Sequence, residues 1–273
     1  MSGTLPVMKT VGTAELLGAL DREGRLLAEA AEAAGTDARV PPCPGWSVRD
    51  LLRHTGVVHR WATAFVADAH TAPRPMGDPP DLDGTDLLAW YRAGHRRLVD
   101  TLAEAPDDVR CWTFHPAPVA SPLAFWIRRQ AHETAVHRFD AEAARGGAVT
   151  AVDTGFALDG IDELLRGFHA RSRSKVRTAG PRVLRVRATA KGRPGTGSDG
   201  SGDDTGGATL AVWTVRLSQD PPVTVLDASE DADAELTGPA GRLYLALWNR
   251  VPVPAVTGDA SLAALWRDTS AIV

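Results

Sequence analysis

Cysteine is scarce in this chain of 273 residues, which contains only Cys43 and Cys111. Two cysteines are too few for the disulfide framework of a small secreted protein, and they lack the paired spacing of a thiolate zinc site. Cys43 stands between two prolines with no base nearby in the sequence, so nothing marks it as a nucleophile. We therefore expect both thiols to be reduced and structural.

Long apolar runs and a surplus of positive charge are also lacking. The chain has no stretch of about 18 apolar residues, and Met1 to Thr13 has no apolar signal core after a basic segment. A formal net charge of −4 gives no general attraction to nucleic acids or to anionic membranes. The sequence predicts a cytoplasmic protein, a monomer or a weak homodimer, that binds neither nucleic acid nor membrane.

The composition that remains is that of a globular protein. Hydrophobic residues make up 44% and charged residues 23% of the chain, and its length allows a sizeable core in one large domain or two smaller ones. Arginine outnumbers lysine 27 to 3. This bias is typical of a GC-rich genome, and no physical requirement of the protein explains it.

Apolar residues at helical spacing predict four long helices in the N-terminal part of the chain. Ser47 and Ser121 supply N-caps for the second and fourth helices, and Pro122 suits a first helical position. The predicted helices are Thr13 to Ala34, Ser47 to about Ala69, Thr85 to Ala105 and Ser121 to about Arg145, and a fifth helical pattern covers Phe156 to Arg171.

The period changes to that of a half-buried strand near Arg182, where apolar and polar residues alternate. Further strands are predicted at Leu210 to Leu217 and Val223 to Leu226, a flexible loop at 192–207, and short helices at Gly241 to Asn249 and Ala260 to Arg267. The fold class is therefore α + (α+β), a four-helix bundle followed by a small α+β domain. We place the domains at 1–175 and 176–273 and expect the active site in the crevice between them.

One group of residues points to metal chemistry. Residues 132–137 read His-Glu-Thr-Ala-Val-His, one residue too long for the H-E-x-x-H motif, which excludes that metalloprotease reading. Glu133 and His137 are four residues apart and therefore share one helix face. His54, beside the apolar stripe of the second helix, is the best third ligand, and His59 is less well placed. Two imidazoles and one carboxylate suit Zn²⁺ or another divalent metal and leave one coordination position open.

Residue spacing leaves alternatives open at each of these positions. Glu133 and His137 are also compatible with an ordinary hydrogen-bonded pair on a helix surface. Asp140 is either a carboxylate that orients His137 or an exposed helix acid. Trp46 either lines a pocket or packs against a helix entry, and Arg250 either binds an anion or stabilises the C-terminal end of a helix.

Three segments resemble the mycothiol-dependent maleylpyruvate isomerase family. They are Cys43-Pro-Gly-Trp-Ser-Val-Arg-Asp-Leu-Leu-Arg-His54, His132-Glu-Thr-Ala-Val-His-Arg-Phe-Asp140 and Asp233-Ala-Glu-Leu-Thr-Gly-Pro-Ala-Gly-Arg-Leu-Tyr-Leu-Ala-Leu-Trp-Asn-Arg250. The resemblance implies a DinB-like metal-binding bundle and a C-terminal sterol-carrier-like domain. It also implies that His54, Glu133 and His137 hold the metal. Mycothiol is a thiol of actinobacteria, whose GC-rich genomes agree with the arginine bias.

The same resemblance implies an activity. A thiolate of mycothiol, used as cofactor or cosubstrate with zinc, attacks an electrophilic small molecule, and the outcome is that of a cis–trans isomerase or of an S-transferase. Arg250 matches the arginine of the second domain that takes part in catalysis in this family, with Arg242 as the fallback position. The alternative is a metal- or thiol-binding module without catalytic activity, in detoxification or regulation.

Overall fold

The computed structural model describes residues 11–191, 207–227 and 230–271. The described residues form two compact units, one that covers residues 11–150 and another that begins at residue 151. Among the described residues, no helix has both the length and the apolar character needed to cross a bilayer.

The first unit contains four long helices, as the sequence predicts. They are α1 (Thr13–Ala34), α2 (Val48–Ala67), α3 (Gly84–Glu104) and α4 (Pro122–Arg145). Helix α1 packs mainly against α4, and α2 packs mainly against α3. Leucines at helical spacing fill the interior of this unit and are almost completely buried: Leu20, Leu27, Leu51, Leu52, Leu87 and Leu98.

Local caps determine where α2 and α4 begin, and these two helices carry the candidate ligands. The backbone N–H of Ser47 donates to Asp50 Oδ2 at 2.8 Å, and the Ser47 side chain accepts from the backbone of Asp50, which completes a capping box. Ser121 Oγ accepts from the backbone N–H of Ala124 at 3.1 Å, with Pro122 at the start of the helix. Gly146 follows the last turn of α4 with φ 80°, a conformation that favours glycine.

A buried charged cluster joins α1 to α4. The Arg138 side chain is 1% exposed, and its Nε donates to Glu23 Oε2 at 2.7 Å while its Nη1 donates to Glu142 Oε2 at 2.7 Å. Nη1 also donates to the Thr150 carbonyl oxygen at 2.8 Å. Because both carboxylates are themselves buried, Arg138 neutralises charge that has little access to water.

The second unit is built on a five-stranded sheet in the order β3-β2-β1-β4-β5. Its strands are β1 (Arg182–Thr189), β2 (Thr209–Leu217), β3 (Val223–Val225), β4 (Ala234–Pro239) and β5 (Ala255–Gly258), and its last two helices are α6 (Ala240–Leu247) and α7 (Ala260–Thr269). Strand β1 pairs antiparallel with β2 and parallel with β4. The predicted α+β architecture is confirmed, although β4 and β5 were not predicted from the sequence.

The predicted fifth helix is α5 (Thr154–Asp162), which continues as a π-helical segment at Glu163–Phe168. Both segments belong to the second compact unit, whereas the boundary expected at residue 175 placed them in the bundle. Their partners explain the difference. Trp213 Nε1 donates to Asp162 Oδ1 at 3.2 Å, and the Phe156 ring packs against Tyr244. The loop predicted at 192–207 lies, apart from Gly207, outside the described residues.

Candidate metal centre

The three predicted ligands lie together between α2 and α4. His54 Nε2 is 3.3 Å from Glu133 Oε1, and His137 Nε2 is 3.2 Å from the same oxygen. One ligand atom from each residue lies within 4.8 Å of the other two. The described parts of the chain contain no second cluster of this kind.

These donor atoms fit a small divalent cation. Zinc–ligand distances of about 2.0–2.1 Å in tetrahedral geometry place neighbouring ligand atoms about 3.3 Å apart. The two nitrogen–oxygen distances of 3.3 and 3.2 Å match that spacing. Two imidazole nitrogens and one carboxylate oxygen form a donor set typical of zinc sites with one open position.

Asp140 orients His137. The His137 Nδ1 lies 2.9 Å from Asp140 Oδ2, and the Asp140 side chain is fully buried. A hydrogen bond from Nδ1–H to this carboxylate leaves the Nε2 lone pair available to a metal and fixes the plane of the ring. Of the two alternatives that the sequence leaves open for Asp140, the structure shows the buried carboxylate in contact with His137.

Arg129 holds the other oxygen of Glu133. Its Nη2 lies 2.9 Å from Glu133 Oε2, and its side chain is 3% exposed. Because Oε2 is held in this way, Oε1 is the oxygen that faces the two histidines. Arg129 was not among the predicted site residues, although its position four residues before Glu133 placed it on the same helix face.

The charges of the ligands favour a cation. Burial tends to raise the pKa of Glu133, but hydrogen bonds from His137 and His54 and the charge of Arg129 hold that pKa well below its usual range. Burial tends to lower the pKa of His137, but hydrogen bonds to Asp140 and Glu133 raise it to about 9. The carboxylates of Glu133 and Asp140 therefore stabilise positive charge at this position, and a metal ion and a proton compete for it.

The loop before α2 reaches the same site. The Trp46 ring centroid lies 5.1 Å from that of His54 and 6.2 Å from that of His137, and the Trp46 and His137 rings are stacked. Trp46 also packs against the buried core residues of the bundle, as expected for a residue at a helix entry. The Cys43 thiol donates to Asp140 Oδ2 at 3.4 Å.

The accessibility of the three ligands decreases from α2 to α4. The His54 side chain is 36% exposed, that of Glu133 is 18% exposed and that of His137 is 9% exposed. A ligand from solvent therefore reaches the cluster on the His54 side.

The ligand cluster does not include the other residues singled out in the sequence. His59 is fully buried with Nε2 2.9 Å from Thr134 Oγ1, and burial lowers its pKa well below the usual value. Arg250 lies in the second unit, where its Nη1 donates to the Trp248 carbonyl oxygen at 2.8 Å, just after α6. This contact agrees with stabilisation of a helix end. Arg242 is exposed, and functional roles for either arginine stay predictions.

Two family models match the chain. Residues 17–142 match the mycothiol maleylpyruvate isomerase N-terminal domain, and residues 155–265 match the C-terminal domain that the models pair with it. No curated protein sequence matches. A crystal structure of a histidine-to-alanine mutant of the mycothiol-dependent maleylpyruvate isomerase superposes with a TM-score of 0.55 at 15% identity, over 91% of this chain and 99% of that one. At this identity the superposition shows the fold alone.

Proposed function

The chain belongs to the mycothiol maleylpyruvate isomerase family, and on this premise we propose that it is a metal-dependent enzyme that uses a mycothiol thiolate to attack an electrophilic small molecule. The observation that supports the proposal most strongly is the convergence of His54, Glu133 and His137 on one point. The proposed metal is Zn²⁺ or another divalent cation.

Residues around the site orient the three ligands for binding a cation. Asp140 holds a proton of His137 at Nδ1, so that Nε2 is the nitrogen that would bind a cation, and Arg129 directs Glu133 Oε1 toward the two imidazoles. The Trp46 ring lies against the imidazole rings of His54 and His137, and the cluster is accessible to solvent on the His54 side. When bound, a divalent cation would hold a coordinated thiol as the thiolate, whereas a free thiol with a pKa of about 8.5 is mostly protonated at neutral pH.

The fate of the thiol adduct distinguishes two activities. Addition of sulfur to one carbon of an activated cis double bond leaves a single bond, about which the adduct rotates. Expulsion of the thiolate then restores the double bond as the trans isomer and regenerates the thiol, which is the isomerase outcome. If the adduct is released, or if sulfur displaces a halide from a haloarene, the enzyme is an S-transferase.

Thiol dependence tests this function. We expect turnover of maleylpyruvate or of a reactive haloarene only when both the metal and mycothiol are present, since sulfur is the nucleophile. Product is followed by mass spectrometry in reactions with and without the thiol. Turnover that is indifferent to mycothiol would exclude the mechanism, and thiol binding without turnover of any electrophile would favour a non-catalytic binding module.

Arg250 is the proposed residue that holds a carboxylate or the developing enolate charge of the substrate. Replacing arginine by lysine keeps the charge but loses the planar pair of donors. We therefore expect Arg250→Lys to lower kcat/KM by about 10-fold or more while metal content is unchanged. Arg242→Lys is the matched control, and a loss of activity in that variant alone would transfer the role to Arg242.

A further inference from the structure

Cys43 and His137 contact the same oxygen atom. The Cys43 thiol donates to Asp140 Oδ2 at 3.4 Å, and His137 Nδ1 donates to that oxygen at 2.9 Å. Cys43 and Asp140 are 97 residues apart in sequence, so only the fold brings them together. The described ligand cluster does not include Cys43.

The loop that carries Cys43 is held in place by its own backbone. The N–H of Cys43 donates to the Val40 carbonyl oxygen at 3.0 Å, and the N–H of Trp46 donates to the Cys43 carbonyl oxygen at 3.0 Å. Val40 is buried in the bundle core, and the Val40 N–H donates in turn to the Trp46 carbonyl oxygen at 3.0 Å. The thiol therefore approaches Asp140 from a fixed direction.

We propose that Cys43 is a positioning residue of the metal centre. Its thiol holds the Asp140 carboxylate in the orientation in which Oδ2 accepts from His137 Nδ1, and so keeps His137 Nε2 aimed at the cation. Two donors on one carboxylate oxygen restrict the rotation of the carboxylate about its χ2 angle more than either donor does alone. The proposal rests on the proposed metal site.

The size of the expected effect follows from the chemistry of the donor. A thiol is a weak hydrogen-bond donor, and Cys43 acts on the ligand through one intermediate residue. Removing the carboxylate that orients a metal-bound histidine costs about 10-fold to 100-fold in metal affinity. Removing the thiol should cost less, about fivefold, the effect of one modest hydrogen bond.

A double-mutant cycle on Zn²⁺ affinity, measured with the full chain by competition with a chromogenic chelator under reducing conditions, tests the proposal. We expect Cys43→Ala to weaken binding about fivefold and Cys43→Ser, which keeps a donor, to stay within about twofold of the wild type. Cys111→Ala is the matched control at the other cysteine and should leave affinity unchanged. Asp140→Ala should weaken binding about 10-fold to 100-fold.

The decisive variant combines Cys43→Ala with Asp140→Ala. If the thiol acts through Asp140, the double variant binds Zn²⁺ no more weakly than Asp140→Ala alone. Additive losses, or a Cys43→Ala affinity equal to that of Cys111→Ala, would overturn the proposal. If Cys43→Ala does not fold, Cys43→Val removes the donor and fills the space at this half-exposed position, and the same cycle applies. A wild-type chain that binds no metal would overturn the metal site itself.

Discussion

Replacing His137 by alanine is expected to remove the metal from the purified protein. His137 contributes one of three protein ligands and is the most deeply buried of them, so no water-exposed side chain can take its place. The loss of affinity should exceed about 100-fold, the upper end of what removing a hydrogen-bond partner of a ligand costs. His54→Ala and Glu133→Ala should also lower the metal affinity. Metal content per chain is measured by mass spectrometry after dialysis against a buffered Zn²⁺ concentration.

A control variant separates metal loss from a general loss of histidine. His115 lies in the segment before α4 and hydrogen-bonds within its own loop, to the Ala117 carbonyl oxygen. His115→Ala should therefore retain the metal. If a folded His137→Ala chain keeps one metal ion per chain, the cation is bound elsewhere and the proposed ligand set is wrong.

Replacing Arg138 by alanine is expected to destabilise the helical unit by about 3–5 kcal/mol, because Glu23 and Glu142 lose the buried cation that pairs with both of them. Glu23 keeps only an ion pair of its other oxygen with the exposed Arg22. Glu23 and Glu142 each lie 2.7 Å from the guanidinium, and all three side chains are at most 7% exposed. The free energy of unfolding is measured by urea denaturation of the metal-free protein, so that ligand binding does not contribute to the difference.

An exposed ion pair on α1 supplies the comparison. Arg25 pairs with Asp21 at 3.0 Å, but the two side chains are 63% and 45% exposed. Such a pair contributes little, because water screens both charges, and Arg25→Ala should leave the free energy of unfolding nearly unchanged. Equal effects of the two substitutions would mean that Arg138 has no special role in holding α1 to α4.

The helices of the bundle could be predicted because their signals are local. The Ser47–Asp50 capping box and the Ser121-Pro122 start lie within a few residues of the helix ends that they determine. Strand β4 could not be predicted in this way. It contains Gly238 and Pro239, and it is held by parallel pairing with β1, about 50 residues earlier in the chain. Strand β5 is a short, mostly exposed edge strand with little apolar pattern.

The residues of the candidate site could likewise be predicted only where their signals are local in the sequence. The spacing of Glu133 and His137 on one helix could be recognised directly, and His54 was selected by its position beside an apolar stripe. The contact between Cys43 and Asp140 could not be recognised, because the two residues are 97 positions apart in sequence and meet only in the folded chain. The function of Arg129 depends on how the two oxygens of Glu133 are directed, which residue spacing does not determine.

Cobalt substitution tests most directly whether the three ligands hold a cation that accepts a thiol. Co²⁺ is titrated into the metal-free wild-type chain, mycothiol is then added, and the visible and near-ultraviolet absorption is followed. We expect one Co²⁺ per chain with the spectrum of a low-coordinate site, and a sulfur-to-cobalt charge-transfer band that saturates at one thiol per chain. The band should be absent in His137→Ala. Binding of one Co²⁺ without any such band, or an unchanged band in His137→Ala, would contradict thiol coordination at His54, Glu133 and His137.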